Sequence, residues 1–286
     1  MTLQTRHQSK LPDGVRKLLR ERIEGNLDLP FQSNTAAQVL ELCNDERCDA
    51  HRLAELISLD QSLAGHVLSV SNSAVYAPTE PIVSLQQAVS RLGIGTICEI
   101  SVAVALKGRV FDVPGHAVRI REMWMHSAAT GVYTKEVARS LRMNVEGAFL
   151  CGLLHDVGKP IVLQNLVDLS RTKTNRPVPS GILEAAMDEF HEVVGAMMVE
   201  HWKLPSWMKE VVGHHHNFTE ATESQRETMI TRLGDVLAHW ALSEGASEEN
   251  FVGDPAVQQA LNLYPDDIEN LLAKRSDVLE VAEALV

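Results

Sequence analysis

The stretch Cys151-Gly152-Leu153-Leu154-His155-Asp156-Val157-Gly158-Lys159 decides how this chain is read. The apolar run Phe149 to Leu154 predicts the end of a buried helix, and His155 and Asp156 stand where it stops. An imidazole and a carboxylate both bind Zn, Mn or Fe, and a carboxylate can bridge two cations. Neighbouring helical residues project about 100° apart, so both reach one site only if it is wedged between helices. Gly158 permits an unusual turn, and Lys159 offers a point charge suited to phosphate. Taken alone, the pair also reads as an ordinary helix end, with Asp capping and His in the last turn.

The remainder of the chain narrows the choice. A chain of 286 residues has room for one large domain or two smaller ones. Hydrophobic content of 45% with 22% charged residues is that of a soluble globular protein. Aromatics make up only 5%, while Ala, Leu, Val and Glu are plentiful, which favours helix over sheet. A net charge of −12 without a basic cluster argues against nucleic acid as a partner. None of Cys43, Cys48, Cys98 and Cys151 makes a CxxC pair, so reduced core thiols are expected. Met1 to Lys10 lacks the apolar region of a signal peptide, and the longest apolar run, near Ile100 to Leu106, is too short to span a bilayer. A cytoplasmic protein without membrane contact is the expectation.

Helical signals punctuate the whole chain and no strand alternation interrupts them. Leu11 to Glu24 reads as a first helix. Ser33 or Asn34 would cap a second through Cys43, and Ala50 to Leu59 and Gln61 to Val70 follow, the latter capped by Asp60. Ser71-Asn72-Ser73 and Pro78 to Pro81 mark a loop, Ser84 opens a short helix, and Gly93 and Gly95 break it before Ile97 to Leu106. Pro114-Gly115 is the best internal boundary. Beyond it the pattern predicts helices over Val118 to Leu141, from Asn144 into the His-Asp stretch, and over Ile182 to Trp202. Ser206 to His216 and Thr228 to Leu242 follow, with small helices from Asp254 to Val286. Leu166 to Gly181, containing Pro177 and Pro179, is expected to be a loop. The chain is expected to be all-α.

Several further groups fall on these helices. Glu122 and His126 share a helix face by their spacing, which suits one ion or a solvated pair. His191 occupies an otherwise apolar helical face, where a lone His is more often a packed core residue. In His214-His215-His216 at most two rings can face one site. Asp235, in Arg232-Leu233-Gly234-Asp235-Val236-Leu237, would be buried and would need a partner or a cation. If these groups meet, Glu122, His126, His155, Asp156, His191, two of the triplet and Asp235 exceed one tetrahedral zinc and suit two divalent ions. Phosphoester hydrolysis is the matching chemistry, with Asp156 and Lys159 as catalytic candidates. His239, one turn beyond Asp235, and His201 read as structural.

The order His126, then His155-Asp156, then Asp235 resembles the H…HD…D signature of the HD superfamily of metal-dependent phosphohydrolases. The match extends to the HDOD family. Leu29-Pro30, Ser58-Leu59-Asp60, Ser71-Asn72-Ser73, Gln87-Ala88 and Leu92-Gly93 resemble its first half. Met123-Trp124-Met125-His126-Ser127, Gly152 to Asp156, His191 with Gly195-Ala196, Trp202-Lys203-Leu204-Pro205 and His215-His216 resemble its second. The resemblance implies a multi-helix HD-type bundle with an N-terminal helical subdomain. It places an N-terminal helix over 1–26, an HDOD domain over 27–217 divided at 113/114, and C-terminal helices over 218–286 completing the HD core. By likeness to the related HD-GYP phosphodiesterases, Glu122, His126, His155, Asp156, His191, His215, His216 and Asp235 fall on metal-ligand positions. Val212 selects the last two histidines of the triplet, and Lys159 matches the lysine after the HD glycine. The Gly-Tyr-Pro motif is absent, since Asn217-Phe218-Thr219-Glu220 follows His216, and cyclic di-GMP hydrolysis is not implied. The expected cofactors are two divalent ions, Fe or Mn ahead of Zn, Ni or Mg. The expected role is in bacterial signal transduction: a phosphohydrolase or phosphodiesterase acting on a nucleotide-like phosphoester, or a non-catalytic module that binds metal or ligand and a signalling protein partner.

Overall fold

The computed structural model describes residues 11–27, 29, 38–39, 42, 49–76, 78, 80–110, 112–173 and 176–285. Among the described residues every regular element is helical and no strand occurs. The cap expected at Ser33 or Asn34 lies outside them; of the helix expected through Cys43 only 38–39 and 42 are described, and these are helical.

Helix α1 (Asp13–Asn26) is followed by α2 (Ala50–Ser58) and α3 (Gln61–Ser71). Asp49 and Asp60 start the latter two, their carboxylates accepting from Arg52 N at 2.8 Å and Leu63 N at 3.0 Å. Each satisfies a donor that a first helical turn leaves without an internal partner. The Asn72 amide grips Ile82 from both sides, accepting its N–H at 2.7 Å and donating to its C=O at 2.8 Å, which fastens the intervening loop. Ser84 caps α4 (Leu85–Leu92), which ends at Gly93 with φ of 85°, a value only glycine holds easily. The break is thus at Gly93 alone. Gly95 lies inside α5 (Ile94–Val110), which is longer than the expected Ile97 to Leu106.

The second half is built on α6 (Ala117–Ser140). Helix α7 (Val145–Leu154), capped by Asn144, packs along it, and α8 (Gly158–Lys173) turns away at the His-Asp corner. Helices α9 (Ser180–His201), α10 (Ser206–His214) and α11 (Gln225–Leu242) complete the surround, with α9 on α8 and α11 on α6. Small helices α12 (Pro255–Ala260), α13 (Pro265–Leu272) and α14 (Arg275–Leu285) close the chain. The Trp124 indole on α6 donates to Leu285 O at 3.0 Å and so ties α14 to the bundle. The two halves are joined by Lys135 of α6, whose ammonium meets the buried Glu99 of α5 at 2.6 Å.

Two glycines set how closely these helices cross. A Cβ on Gly152 would stand 2.7 Å from Thr130 O and 2.8 Å from Gly131 Cα, so α6 and α7 touch through backbone. A Cβ on Gly158 would stand 2.1 Å from His191 O, so the start of α8 rests directly on α9.

Three expectations need correction. Leu166 to Gly181 is mostly helix: α8 runs to Lys173 and α9 begins at Ser180. Leu166 is buried in the core, and Thr172 Oγ1 back-bonds to Asp168 O at 3.0 Å. The two prolines therefore mark only the short link. The helix expected through His216 stops at His214, which puts His215 and His216 on the following turn. Cys98 is disulfide-bonded, whereas Cys151 is a buried free thiol. No helix among the described residues is long and apolar enough to cross a membrane.

Candidate metal centre

Asp156 stands at the middle of the site. Its Oδ2 lies 3.4 Å from His155 Nε2 and 3.8 Å from His126 Nε2, while its Oδ1 lies 3.5 Å from His191 Nε2 and 3.8 Å from His215 Nε2. Asp235 Oδ1 approaches His126 Nε2 at 3.2 Å and His155 Nε2 at 3.8 Å. Two sets of close donors result: His126, His155 and Asp235 in one, and Asp156, His191, His215 and His216 in the other. The donor atoms of each set lie within 4.8 Å of one another. One carboxylate oxygen of Asp156 faces each set, the disposition of a bridging ligand.

Local structure explains the convergence. Helix α7 ends just before His155, and the turn aims His155 and Asp156 inward. Helices α6, α9 and α11 present His126, His191 and Asp235, and the turn after α10 presents His215 and His216. Backbone carbonyls then set the rings. Nδ1 of His155 contacts Gly152 O at 2.7 Å, that of His191 contacts Met187 O at 2.9 Å, and that of His215 contacts Val212 O at 2.9 Å. A carbonyl only accepts, so each of these Nδ1 atoms carries the proton and each Nε2 presents its lone pair inward. Metal-binding histidines are oriented in this way. Asp156 Oδ1 and His126 Nδ1 are buried without a hydrogen-bond partner, and an unsatisfied buried carboxylate oxygen among imidazole lone pairs is a position a cation would satisfy.

Electrostatics agree with the geometry. Burial pushes Asp156 up, but His155 and Lys159 outweigh it and hold the carboxyl well below its ordinary range. Burial likewise opposes ionisation of Asp235, yet the hydrogen bond from His126 and the charge of His155 hold it well below. Burial works against a charged His155, and Asp156 overcomes it, so this imidazole is raised. His191 and His215 are lowered, first by burial. Desolvation in the cleft and the neighbouring His191 bring His216 to about 4. Anionic oxygens and neutral imidazoles are the forms that bind cations, so the raised His155 must give up a proton before it can hold one.

The expected residues fall as follows. His126, His155, Asp156, His191, His215, His216 and Asp235 come together, and Lys159 pairs its ammonium with Asp156 Oδ2. Glu122 is exposed on α6 and joins neither set, because α6 turns His126 inward and leaves Glu122 facing solvent. His214 faces Glu220 at 3.5 Å, and His201 is exposed. Two neighbours of the site carried no expectation of a role there. His239 stacks on the His126 ring at 4.2 Å, with Nε2 3.3 Å from Asp235 Oδ1. Arg232 Nη1 lies 3.1 Å from Asp235 Oδ2 and 3.3 Å from His216 Nδ1. The only sequence signal for either was helical spacing from Asp235, three residues before for Arg232 and four after for His239.

Known proteins resemble this chain in sequence and fold. The crystal structure of a candidate metal-dependent phosphohydrolase from Shewanella amazonensis SB2B superposes with a TM-score of 0.69 at 18% identity, covering 94% of this chain and 97% of that one. A candidate signal transduction protein from Marinobacter aquaeolei VT8 superposes with a TM-score of 0.70 at 21% identity, covering 95% and 66%. At these identities the likeness speaks for the fold. A protein of Treponema pallidum (strain Nichols) with no assigned function is 22% identical over 211 residues, which are 71% of this chain but only 40% of that protein. The model of the HDOD domain matches residues 29–218, well over half of the sequence. This chain therefore belongs to the HDOD domain family.

Proposed function

We propose that the protein is a signal-transduction phosphohydrolase or phosphodiesterase whose site binds two divalent cations and acts on a nucleotide-like phosphoester. One observation carries this reading: the partnerless Oδ1 of buried Asp156 faces the Nε2 atoms of His191 and His215, whose rings are locked by backbone carbonyls. His126, His155 and Asp235 would hold one ion, and Asp156, His191 and His215 the other, with Asp156 between them. Nitrogen and carboxylate oxygen donors suit Mn and Fe, and also Zn. Ions held there would supply electrophilic stabilisation of phosphoryl oxygens and a nucleophile from water at neutral pH.

The chain's own groups would do the rest. Lys159 places a positive charge beside Asp156, where a phosphoryl group would gather negative charge. His239, half-exposed at the rim, turns its Nε2 to Asp235 Oδ1 at 3.3 Å and is lowered to about 4, first by desolvation, so it would steady Asp235 as a neutral ring. Thr130 of α6, fully buried, lies beside the site with its Oγ1 3.5 Å from His126 Nε2.

A second reading, a signalling module that binds a ligand and a protein partner without turnover, has its own support. Lys159 and Arg232 already give Asp156 and Asp235 cationic partners from the chain itself. Turnover separates the two. Protein loaded with Mn or Fe is assayed against a panel of nucleotide mono-, di- and cyclic phosphoesters, beside Asp156→Ala. Hydrolysis that disappears in the variant upholds the enzyme. Full metal occupancy without hydrolysis leaves the module.

A further inference from the structure

The histidines around Asp156 are not wired alike. In His155, His191 and His215 the Nδ1 atom meets a backbone carbonyl and therefore bears the hydrogen. In His216 the Nδ1 atom meets Arg232 Nη1 at 3.3 Å instead. A guanidinium only donates, so this Nδ1 must offer its lone pair, and the hydrogen of the neutral ring sits on Nε2. The next contact fits the same assignment: His216 Nε2 lies 3.1 Å from His191 Nε2, which has a lone pair to accept it because its own hydrogen is on Nδ1. A directed chain thus runs from Arg232 through His216 to His191. Arg232 is itself tethered, to Asp235 Oδ2 at 3.1 Å and to Asp254 Oδ2 at 3.6 Å.

We propose that Arg232 is a latch on the candidate metal centre: it holds His216 in the tautomer whose Nε2 lone pair is withheld. Asp156, His191 and His215 then form the protein's share of the second cation position, where a bound cation would replace the His216 Nε2–H on the His191 lone pair, and His216 becomes a ligand only when Arg232 is removed. Arg232 is a positioning residue here, acting through His216. The inference deepens the metal-binding reading above and rests on it for its cation arm, whereas its tautomer arm stands on the metal-free protein alone.

Two measurements test it, on the full chain and on Arg232→Met, which keeps the apolar stem and removes the donors, with His216→Ala and the double variant alongside. Nitrogen NMR of the metal-free protein reads the ring tautomers. The expected result is hydrogen on Nε2 for His216 and on Nδ1 for His191 and His215, with His216 switching to Nδ1 in Arg232→Met. Hydrogen on Nδ1 of His216 in the unaltered protein overturns the latch. Calorimetric titration with Mn²⁺ reads the second ion. His216→Ala alone should change its affinity less than about twofold. Arg232→Met should tighten it about tenfold, the scale of second-shell effects, and His216→Ala in that background should abolish the gain. A gain that survives in the double variant is removal of a charge only, and a tenfold loss in His216→Ala alone makes His216 a resident ligand; either overturns the proposal. If no ion binds, the metal reading fails, and the NMR result decides the latch by itself.

Discussion

Gly158→Ala should damage the protein through backbone contact alone. The new Cβ would lie 2.1 Å from His191 O, 2.8 Å from His191 C and 2.9 Å from Gly195 N, none of which can rotate away. Reaching an ordinary carbon–oxygen contact requires α8 and α9 to part by about 1 Å. Overpacking of that kind costs roughly 3 kcal/mol, the upper end of the usual range. In a chain of this size each kcal/mol moves the melting midpoint by about 2–4 °C, so a fall of about 6–12 °C is expected in differential scanning calorimetry of the metal-free protein. The same displacement carries His191 Nε2 away from Asp156 Oδ1, now 3.5 Å apart, and should cost the second cation in elemental analysis of metal-loaded protein. Gly213→Ala is the control: it lies next to the histidine triplet, yet its Cβ would meet only Ala196 Cβ at 3.4 Å, an ordinary contact. It should melt at the original temperature or slightly above. If Gly158→Ala also melts unchanged and keeps its metal, the close crossing of α8 and α9 is wrong.

Other outcomes follow from the same geometry. In the metal-free protein His155 is raised mainly against its burial, by Asp156. Its stabilisation is complete below the ordinary value of 6.5 and is lost as pH rises through the folded value. Asp156→Asn should lower the His155 midpoint in an NMR titration and remove that alkaline loss; an unmoved midpoint contradicts the pairing. Glu210 is pushed up by desolvation but accepts from Thr222 N at 2.6 Å, Glu223 N at 3.0 Å and Ser224 N at 2.6 Å, which bring it down to about 2. Its stabilisation is present above 4.5 and fades as pH falls toward 2. Glu210→Gln should therefore cost about 1 kcal/mol in urea unfolding at neutral pH and less at pH 3. An equal loss at both pH values refutes this. Cys151 is a free thiol raised by burial, so a thiol reagent should find it silent in the native protein and reactive in denaturant. Rapid labelling of native Cys151 would place it elsewhere.

The helical class could be read from the sequence because its cues are local. Asp60, Ser84 and Asn144 cap their helices through their own side chains, and those contacts span only three residues. Gly93 and Gly95 look alike as letters, but only one takes a positive φ, since Gly95 continues a helix packed near Glu146. Pro177 and Pro179 exaggerated a loop because breakers mark where a helix cannot pass and say little about how far back it reaches. The ion pair between Lys135 and Glu99 depends on which helices become neighbours, and no single-chain period encodes that.

The site divides in the same way. His155-Asp156, His191 and Asp235 were legible as polar groups on apolar helical faces, where burial without a partner is costly. Glu122 shared a helix with His126 and was expected beside it, yet one residue lies on the inward side of α6 and the other in solvent. A spacing of four places two side chains on one stripe without saying which part of the stripe is buried. The histidine triplet shows the limit most clearly. That His215 points inward follows from the chain ending its helix at His214, but the roles of His215 and His216 diverge only at the second nitrogen of each ring. Val212 O sits at one and Arg232 at the other. A carbonyl leaves the Nε2 lone pair of its imidazole free and a guanidinium makes Nε2 a donor in the next, so two identical adjacent residues differ through a partner, Arg232, that only the packing of α11 supplies.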